Sequence, residues 1–348
     1  MNKNVISAAK KTILAIKNPY NSIEEVFPDI INKFEYDDDV KYVGIKNTNY
    51  IPESILEKLS KDHFYLHTLD KSSLGGRAID TFIMNPITAR PMTGSSSGTA
   101  VNVFLGINDL GVGTDGGGSV LAPAMSLNLF GFISNEIEKE FMENSNGRVS
   151  TDGIAFSPSI GYICKDLNML KRAVELTMFN IKKIEDISHI KVYVSNEFHE
   201  CNEILDENIK NINKVSFPKL YSDRNQLIEF LNVTLPQCDV LLSYEGPVDL
   251  VGTGDSVLGH CDDLTQQIQN KGGKGLIRVV NMVNATALVI PTNELSRGIV
   301  LICESKKDKI DKLFAISNEI VQKEDPLFNK YFSSFENYFP KGFGRSEI

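Results

Sequence analysis

Apolar positions along the chain fall into two patterns, one at helical spacing and one in short continuous runs. Val5, Ile6, Ala9, Ile13 and Ile16 lie on one face of a helix. Pro19 and Asn21 end it, and Ser22 is placed to cap a second helix through Ile23, Val26 and Ile30. Tyr42 to Ile45 reads as a short buried strand that ends at Lys46, followed by a helix from Pro52 to Leu59 and a strand from Phe64 to Leu66. Gly75 to Gly98 has no clean period and is rich in Gly, Pro, Ser and Thr, so it reads as a long loop. A helix starts near Gly98 and runs to Leu105, and Val112 to Ser119 forms a second glycine-rich segment.

The pattern continues to the end of the chain. Helical spacing marks Leu167 to Phe179, Glu203 to Ile212, Asn225 to Leu231 and Ile310 to Val321. Strands are expected at Ile190 to Val194, Val240 to Leu242, Ala287 to Ile290 and Ile299 to Cys303. This alternation of strands and helices predicts an α/β fold with a largely buried sheet. No repeat or linker divides the chain, so one domain over residues 1–348 is expected, with N-terminal helices in 1–35, a core in 41–163 and the rest of the sheet in 164–348.

Composition narrows the function classes. Of 348 residues, 42% are hydrophobic and 23% charged, which suits a globular chain able to bury a large core. The formal net charge of −9 and the lack of a basic run argue against a nucleic-acid partner. Five scattered cysteines (Cys164, Cys201, Cys238, Cys261 and Cys303) form no C-x-x-C pair and read as thiols in a reducing compartment. The first 18 residues lack the pattern of a signal peptide, and no apolar stretch is long enough to span a membrane. The expectation is a cytoplasmic protein with no membrane contact. His260-Cys261-Asp262-Asp263 holds metal-compatible side chains, but adjacent residues rarely converge on one ion, and the segment reads as a loop with no metal site.

The chemistry concentrates in Thr93 to Ala124. Three glycines, Gly116, Gly117 and Gly118, precede Ser119. Such a run lets successive N–H groups point into one cavity, as an oxyanion hole requires, with a serine beside it. On composition alone, a nucleophile loop, a phosphate-binding turn and a plain turn stand equal. No lysine follows the glycines, so the Walker pattern is absent. Serine needs a base. None of His63, His67, His189, His199 and His260 sits in a G-x-S-x-G context, and a lysine whose pKa is depressed by burial is the next candidate.

These residues resemble the amidase-signature family. Its hallmark reads roughly G-G-S-S-G-G-S, then about twenty residues, then G-T-D-x-G-G-S-x-R-x-P. Here Ser95 precedes Ser119 by 24 positions, the spacing typical of the family. Val43-Gly44-Ile45-Lys46-Asn47 is similar to the strand that delivers the family's catalytic lysine, and Asn85-Pro86 through Arg90-Pro91 to its approach to the first serine. Gly147-Arg148-Val149-Ser150, Asp152 to Phe156 and Asn281 to Pro291 resemble later family segments. Departures are Leu121 where an Arg usually follows the nucleophile, Thr93 and Ser97 in place of glycines, and Asn47 in place of an Asp.

The resemblance, to a short and divergent member, implies a central mixed β-sheet covered by helices on both faces. It also implies amide hydrolysis through an acyl-enzyme, with Ser119 as nucleophile, Ser95 as proton relay on a cis Gly94–Ser95 peptide, and Lys46 as neutral base. Gly116, Gly117, Gly118 and Ser119 would supply the oxyanion hole. Ser96, Thr93 and Tyr244 are candidate substrate contacts, while Asp115 and Thr114 read as structural. Glu245 reads as an ordinary exposed residue. The expected partner is a small-molecule amide, with no cofactor, and homodimerisation stays open. The alternatives are a glutamine-amidotransferase component, an acyltransferase and an inactive binding or scaffold protein, all of the same fold.

Overall fold

The computed structural model describes residues 3–35, 37, 39–144, 147–150, 152–196, 209–255 and 262–321, together with 328, 330, 332, 338 and 339. Its strands are β1 (Ile23–Val26), β2 (Lys41–Lys46), β3 (Phe64–Asp70), β4 (Ile79–Met84), β5 (Pro91–Thr93), β6 (Leu110–Asp115), β7 (Phe130–Ser134), β8 (Arg148–Val149) and β9 (Ala155–Phe156). They continue with β10 (Ser159–Cys164), β11 (Val192–Ser195), β12 (Ile212–Val215), β13 (Val240–Glu245), β14 (Ala285–Pro291) and β15 (Gly298–Glu304). The described helices are α1 (Lys3–Lys17), α2 (Ser54–Ser60), α3 (Ser97–Phe104), α4 (Leu121–Ser126), α5 (Lys139–Glu143), α6 (Leu167–Thr177), α7 (Arg224–Thr234), α8 (Asp263–Asn270) and α9 (Lys307–Ile320).

Eleven strands form one sheet in the order β1-β3-β2-β6-β10-β7-β14-β15-β13-β11-β12. The sheet is mixed: β3, β2 and β6 run parallel, β6 to β13 are joined by antiparallel pairings, and β13, β11 and β12 are parallel again. The two-residue period of the strands divides the core. Val112, Ile160, Tyr162, Phe132, Leu288 and Ile290 point to one face, where α2, α6 and α9 cover them. Ile133, Ile163, Ala287, Val289, Val300 and Ile302 point to the other, under α3, α4 and α7. Both faces are therefore dry, which explains why the central strands read as continuous apolar runs.

Helices α3 and α4, which carry the two serine loops, lie unusually close to the sheet because glycines face them. A Cβ on Gly113 would stand 2.7 Å from the Ser96 hydroxyl oxygen, and one on Gly131 would stand 2.7 Å from the Ala124 Cβ. Gly161, paired with Gly113 across β10 and β6, would run its Cβ into the Phe132 carbonyl oxygen and 3.1 Å from Val120.

Three sequence expectations are corrected. Residues 1–35 are not all helical: Ile23–Val26 is the edge strand β1, paired antiparallel with β3, and only Pro28–Glu35 coils, as a 3-10 helix. The i, i+3 spacing of Ile23 and Val26 mimicked a helix, and Ser22, rather than capping one, donates its hydroxyl to Asn102 at 2.6 Å. In α1 the buried residues are Ala8, Lys11, Thr12, Leu14 and Ala15, while Ile6, Ile13 and Ile16 are exposed. Lys11 pairs with Asp109 at 2.7 Å and Thr12 meets His67 at 3.2 Å, so polar contacts set the rotation of this helix. Within the expected 75–98 loop, β4 and β5 form a hairpin. The expected helix at Glu203 to Ile212 lies mostly outside the described residues, and its last residue opens β12.

Gly161→Ala should lower unfolding free energy by about 1–3 kcal/mol, the cost of overpacking against an immobile backbone oxygen. Gly147→Ala, whose Cβ would meet nothing nearer than 3.6 Å, should change it by no more than about 0.5 kcal/mol. Chemical denaturation of the two variants checks this.

Candidate active site

Two neighbouring parallel strands, β2 and β6, end at the same edge of the sheet, and their last residues form the floor of the site. Lys46 closes β2, and Thr114 and Asp115 close β6. The carboxyl ends of parallel strands are where α/β sheets hold ligands. The Lys46 side chain is buried, and its Nζ donates to Ser95 Oγ at 2.7 Å, to Thr114 Oγ1 at 3.1 Å and to the Thr114 carbonyl oxygen at 3.3 Å. Burial lowers its pKa to about 7. The nearby Asp115 charge opposes that shift and the Arg148 charge adds to it.

Ser95 lies in the turn before α3, 3% exposed. The Gly94–Ser95 peptide is cis. The turn is held from both sides: Gly94 N–H donates to the Ala78 carbonyl at 2.7 Å, and the Ser95 carbonyl accepts from Ser73 N–H at 3.1 Å. Ser96 N–H donates to the Ser119 carbonyl at 3.1 Å. This bond ties the two serine loops together beside both hydroxyls of interest.

The second loop wraps around Asp115. Its buried carboxylate accepts N–H groups from Gly117 at 3.0 Å, Gly118 at 2.6 Å, Val120 at 2.6 Å and Leu121 at 3.2 Å. Gly118 takes φ +97°, a conformation that favours glycine and turns the chain into α4. Burial raises the Asp115 pKa, and the N–H groups of Val120, Gly118, Leu121 and Ser119 resist that rise. Leu121 is fully buried among the apolar residues under α4, so the position where relatives carry Arg belongs to the core here.

A cavity of about 620 Å³ opens over these groups. Lys46, Ser95, Thr114, Gly116, Gly117 and Ser119 line it. A Cβ on Gly116 would collide with the Phe156 ring, which also lines the cavity. The structure thus brings Lys46, Ser95 and Ser119 to one space. The four expected oxyanion donors are corrected: the N–H groups of Gly117 and Gly118 are drawn back to Asp115, which the Ser119 N–H also faces. That leaves Gly116 as the N–H of the four that Asp115 does not engage.

The three expected substrate contacts do not line the cavity. Thr93 is buried and donates to Asp249 at 2.9 Å. Ser96 is buried beneath the loop with its hydroxyl against Gly113. Tyr244 packs on the opposite core, with the Arg297 guanidinium over its ring. Glu245 is buried, not exposed: it accepts N–H groups from Gly275 at 2.7 Å and Leu276 at 2.8 Å and so anchors a turn. The sequence reading missed Arg77, Arg148 and Arg224, which all line the cavity. Only Arg148 stood in a recognisable motif, and its spacing gave no hint of a cavity position.

Among the described residues, no group of three or more His, Cys, Asp or Glu could hold a metal ion. His260, Cys261 and Cys201 lie outside the described residues, and Asp262 caps α8, accepting Thr265 N–H at 2.8 Å. Cys164, Cys238 and Cys303 are buried free thiols. No helix among the described residues is long and apolar enough to cross a membrane.

Comparison with known proteins places these features. The amidase family model matches residues 82–162, which take in both serine loops. Over 118 residues the chain is 35% identical to the amidase-like component of the mitochondrial glutamyl-tRNA(Gln) amidotransferase of Eremothecium gossypii, covering 31% of this chain and 23% of that protein. Over 108 residues it is 37% identical to amidase 1 of Arabidopsis thaliana, covering 29% and 23%. The matched stretches thus span under a quarter of the length of these curated relatives. The fold extends much further: a bacterial aryl acylamidase of the amidase-signature family superposes with a TM-score of 0.64 at 13% identity, over 91% of this chain and 93% of that one. The peptide amidase of Stenotrophomonas maltophilia gives 0.61 at 12% identity over 93% and 94%. With the family's signature region matched at 82–162 and its fold shared over about nine tenths of its length, the chain belongs to the amidase-signature family.

Proposed function

We propose that the protein cleaves the C–N bond of a small-molecule amide through an acyl-enzyme on Ser119. The observation that carries this reading is the buried Lys46, held 2.7 Å from Ser95 in a cavity that Ser119 shares. A lysine with a pKa of about 7 is half neutral at neutral pH and can act as a base. Lys46 Nζ takes the Ser95 proton, Ser95 Oγ takes the Ser119 proton, and Ser119 Oγ bonds to the amide carbon. The Gly116 N–H faces the developing oxyanion, a donor worth about 3 kcal/mol in such sites. As the C–N bond breaks, Ser95 returns a proton to the leaving nitrogen. Water then adds to the acyl carbon by the same relay and frees Ser119.

The likeness to glutamyl-tRNA(Gln) amidotransferase components favours a second reading, in which the released ammonia is handed to an acceptor on a partner chain. Hydrolysis of a simple amide by the purified chain alone supports the stand-alone enzyme. Turnover that appears only with a co-purifying partner supports the amidotransferase component.

A fluorophosphonate should add once to the wild-type protein by intact mass, not at all to Ser119→Ala, and much more slowly to Lys46→Met. An unlabelled wild type, with a small probe as well as a large one, would remove Ser119 from the role of nucleophile and favour a binding protein. On any amide the wild type turns over, Ser119→Ala and Lys46→Met should lose at least about 1,000-fold in kcat/KM.

The pH profile has a definite sign. Lys46 works only when neutral, so kcat/KM should rise with pH, about tenfold per unit below 7, and level off above it. Arg148→Gln removes a cation that disfavours the Lys46 ammonium, so the midpoint should move to higher pH. A midpoint that stays fixed in Arg148→Gln would detach the profile from Lys46.

A further inference from the structure

The cavity wall is cationic although the chain as a whole is acidic. Arg77, Arg148 and Arg224 line it with Lys46, and among the described residues no aspartate or glutamate lines it. The formal net charge of the chain is −9, so this is a local inversion of the overall balance.

The three arginines differ in what they are bound to. Arg224 is paired with Asp152 at 2.7 Å, and Arg77 with the buried Asp255 at 3.1 Å. Arg148 pairs with no carboxylate among the described residues. Its Nε donates to the Tyr50 hydroxyl at 3.1 Å, and the guanidinium lies over the Tyr50 ring at 4.5 Å from the centroid. Stacking on an aromatic face fixes the plane of a guanidinium without neutralising it. Tyr50 itself lines the cavity. Arg77 adds a second unmet demand, because its Nη2 is buried with no hydrogen-bond partner among the described residues. An orphaned buried donor costs free energy that an acceptor arriving with a ligand recovers.

We propose that the site selects amides that carry a carboxylate, with Arg148 as the group that receives it and Arg77 lending its unpaired Nη2. A planar fork of N–H donors matches a carboxylate and does not match a neutral amide or alkyl tail equally well. Charge contrast is the discriminating feature, since a neutral ligand leaves both guanidiniums as they are. This inference deepens the amidase reading and rests on it for the identity of the amide.

The test measures binding, not turnover. Ser119→Ala protein is titrated calorimetrically with succinanilate and with butyranilide, two anilides of similar size that differ in one carboxylate. Succinanilate should bind more tightly by about tenfold, the size of one charge-assisted hydrogen bond. Arg148→Gln in the same background should erase that advantage while leaving butyranilide unchanged, and Arg148→Lys should restore part of it. Raising the salt concentration should narrow the difference. Equal binding of the two anilides, binding of neither, or an advantage that survives Arg148→Gln would each overturn the proposal. Because this variant lacks the Ser119 hydroxyl, the outcome is independent of whether Ser119 is the nucleophile, which the fluorophosphonate experiment decides alone.

Discussion

The site depends on one unfavourable act, the burial of a lysine. An ammonium taken out of water loses solvation that only a close, well-placed anion restores. Among the described residues no carboxylate bonds to Lys46; its three partners are the Ser95 hydroxyl, the Thr114 hydroxyl and the Thr114 carbonyl. The Asp115 carboxylate that attracts it is committed to four backbone N–H groups. Desolvation therefore outweighs attraction, and the Lys46 pKa falls to about 7. The same carboxylate thus does two things: it shapes the Ser119 turn and, being occupied there, leaves Lys46 free to lose its proton.

The scaffold makes this burial possible. Parallel pairing of β2 with β6 sets Lys46 beside Thr114 at a common strand edge. Bare positions at Gly113, Gly131 and Gly161 let the serine loops settle against the sheet, and the Ser96 to Ser119 backbone bond joins them. Leu121 contributes through packing what a charged side chain would have contributed through hydrogen bonds. It fills the core beneath α4, while its N–H helps hold Asp115. The turn therefore keeps its anchoring without an arginine at that position.

Much of this was legible in the sequence because it rests on local pattern. Continuous apolar runs located β2, β13, β14 and β15, since strands buried on both faces carry no polar alternation. The paired glycine–serine loops located the cavity floor, because only such segments give tight turns with N–H groups in series. What failed depends on contacts distant in sequence. Ile23 and Val26 have helical spacing but are recruited by β3 as an edge strand. Thr93 and Tyr244 sit in segments near the site, yet their side chains turn to Asp249 and to the opposite core. Glu245 has the look of a surface acid until a turn 30 residues later, at Gly275 and Leu276, supplies its N–H partners. The cationic wall was invisible for the same reason, since Arg77, Arg148 and Arg224 come from three segments far apart in the chain.

The most direct measurement is the protonation state of Lys46 itself. Protein labelled with ¹³C and ¹⁵N at lysine can be titrated by NMR through the Cε and Nζ signals, with Lys46 assigned by its loss in Lys46→Met. The account predicts a midpoint near pH 7 for this lysine, with exposed lysines titrating near their ordinary value of about 10.4. A Lys46 signal that remains charged to the same high pH as the exposed lysines would contradict it, because a permanently protonated Lys46 cannot take the Ser95 proton.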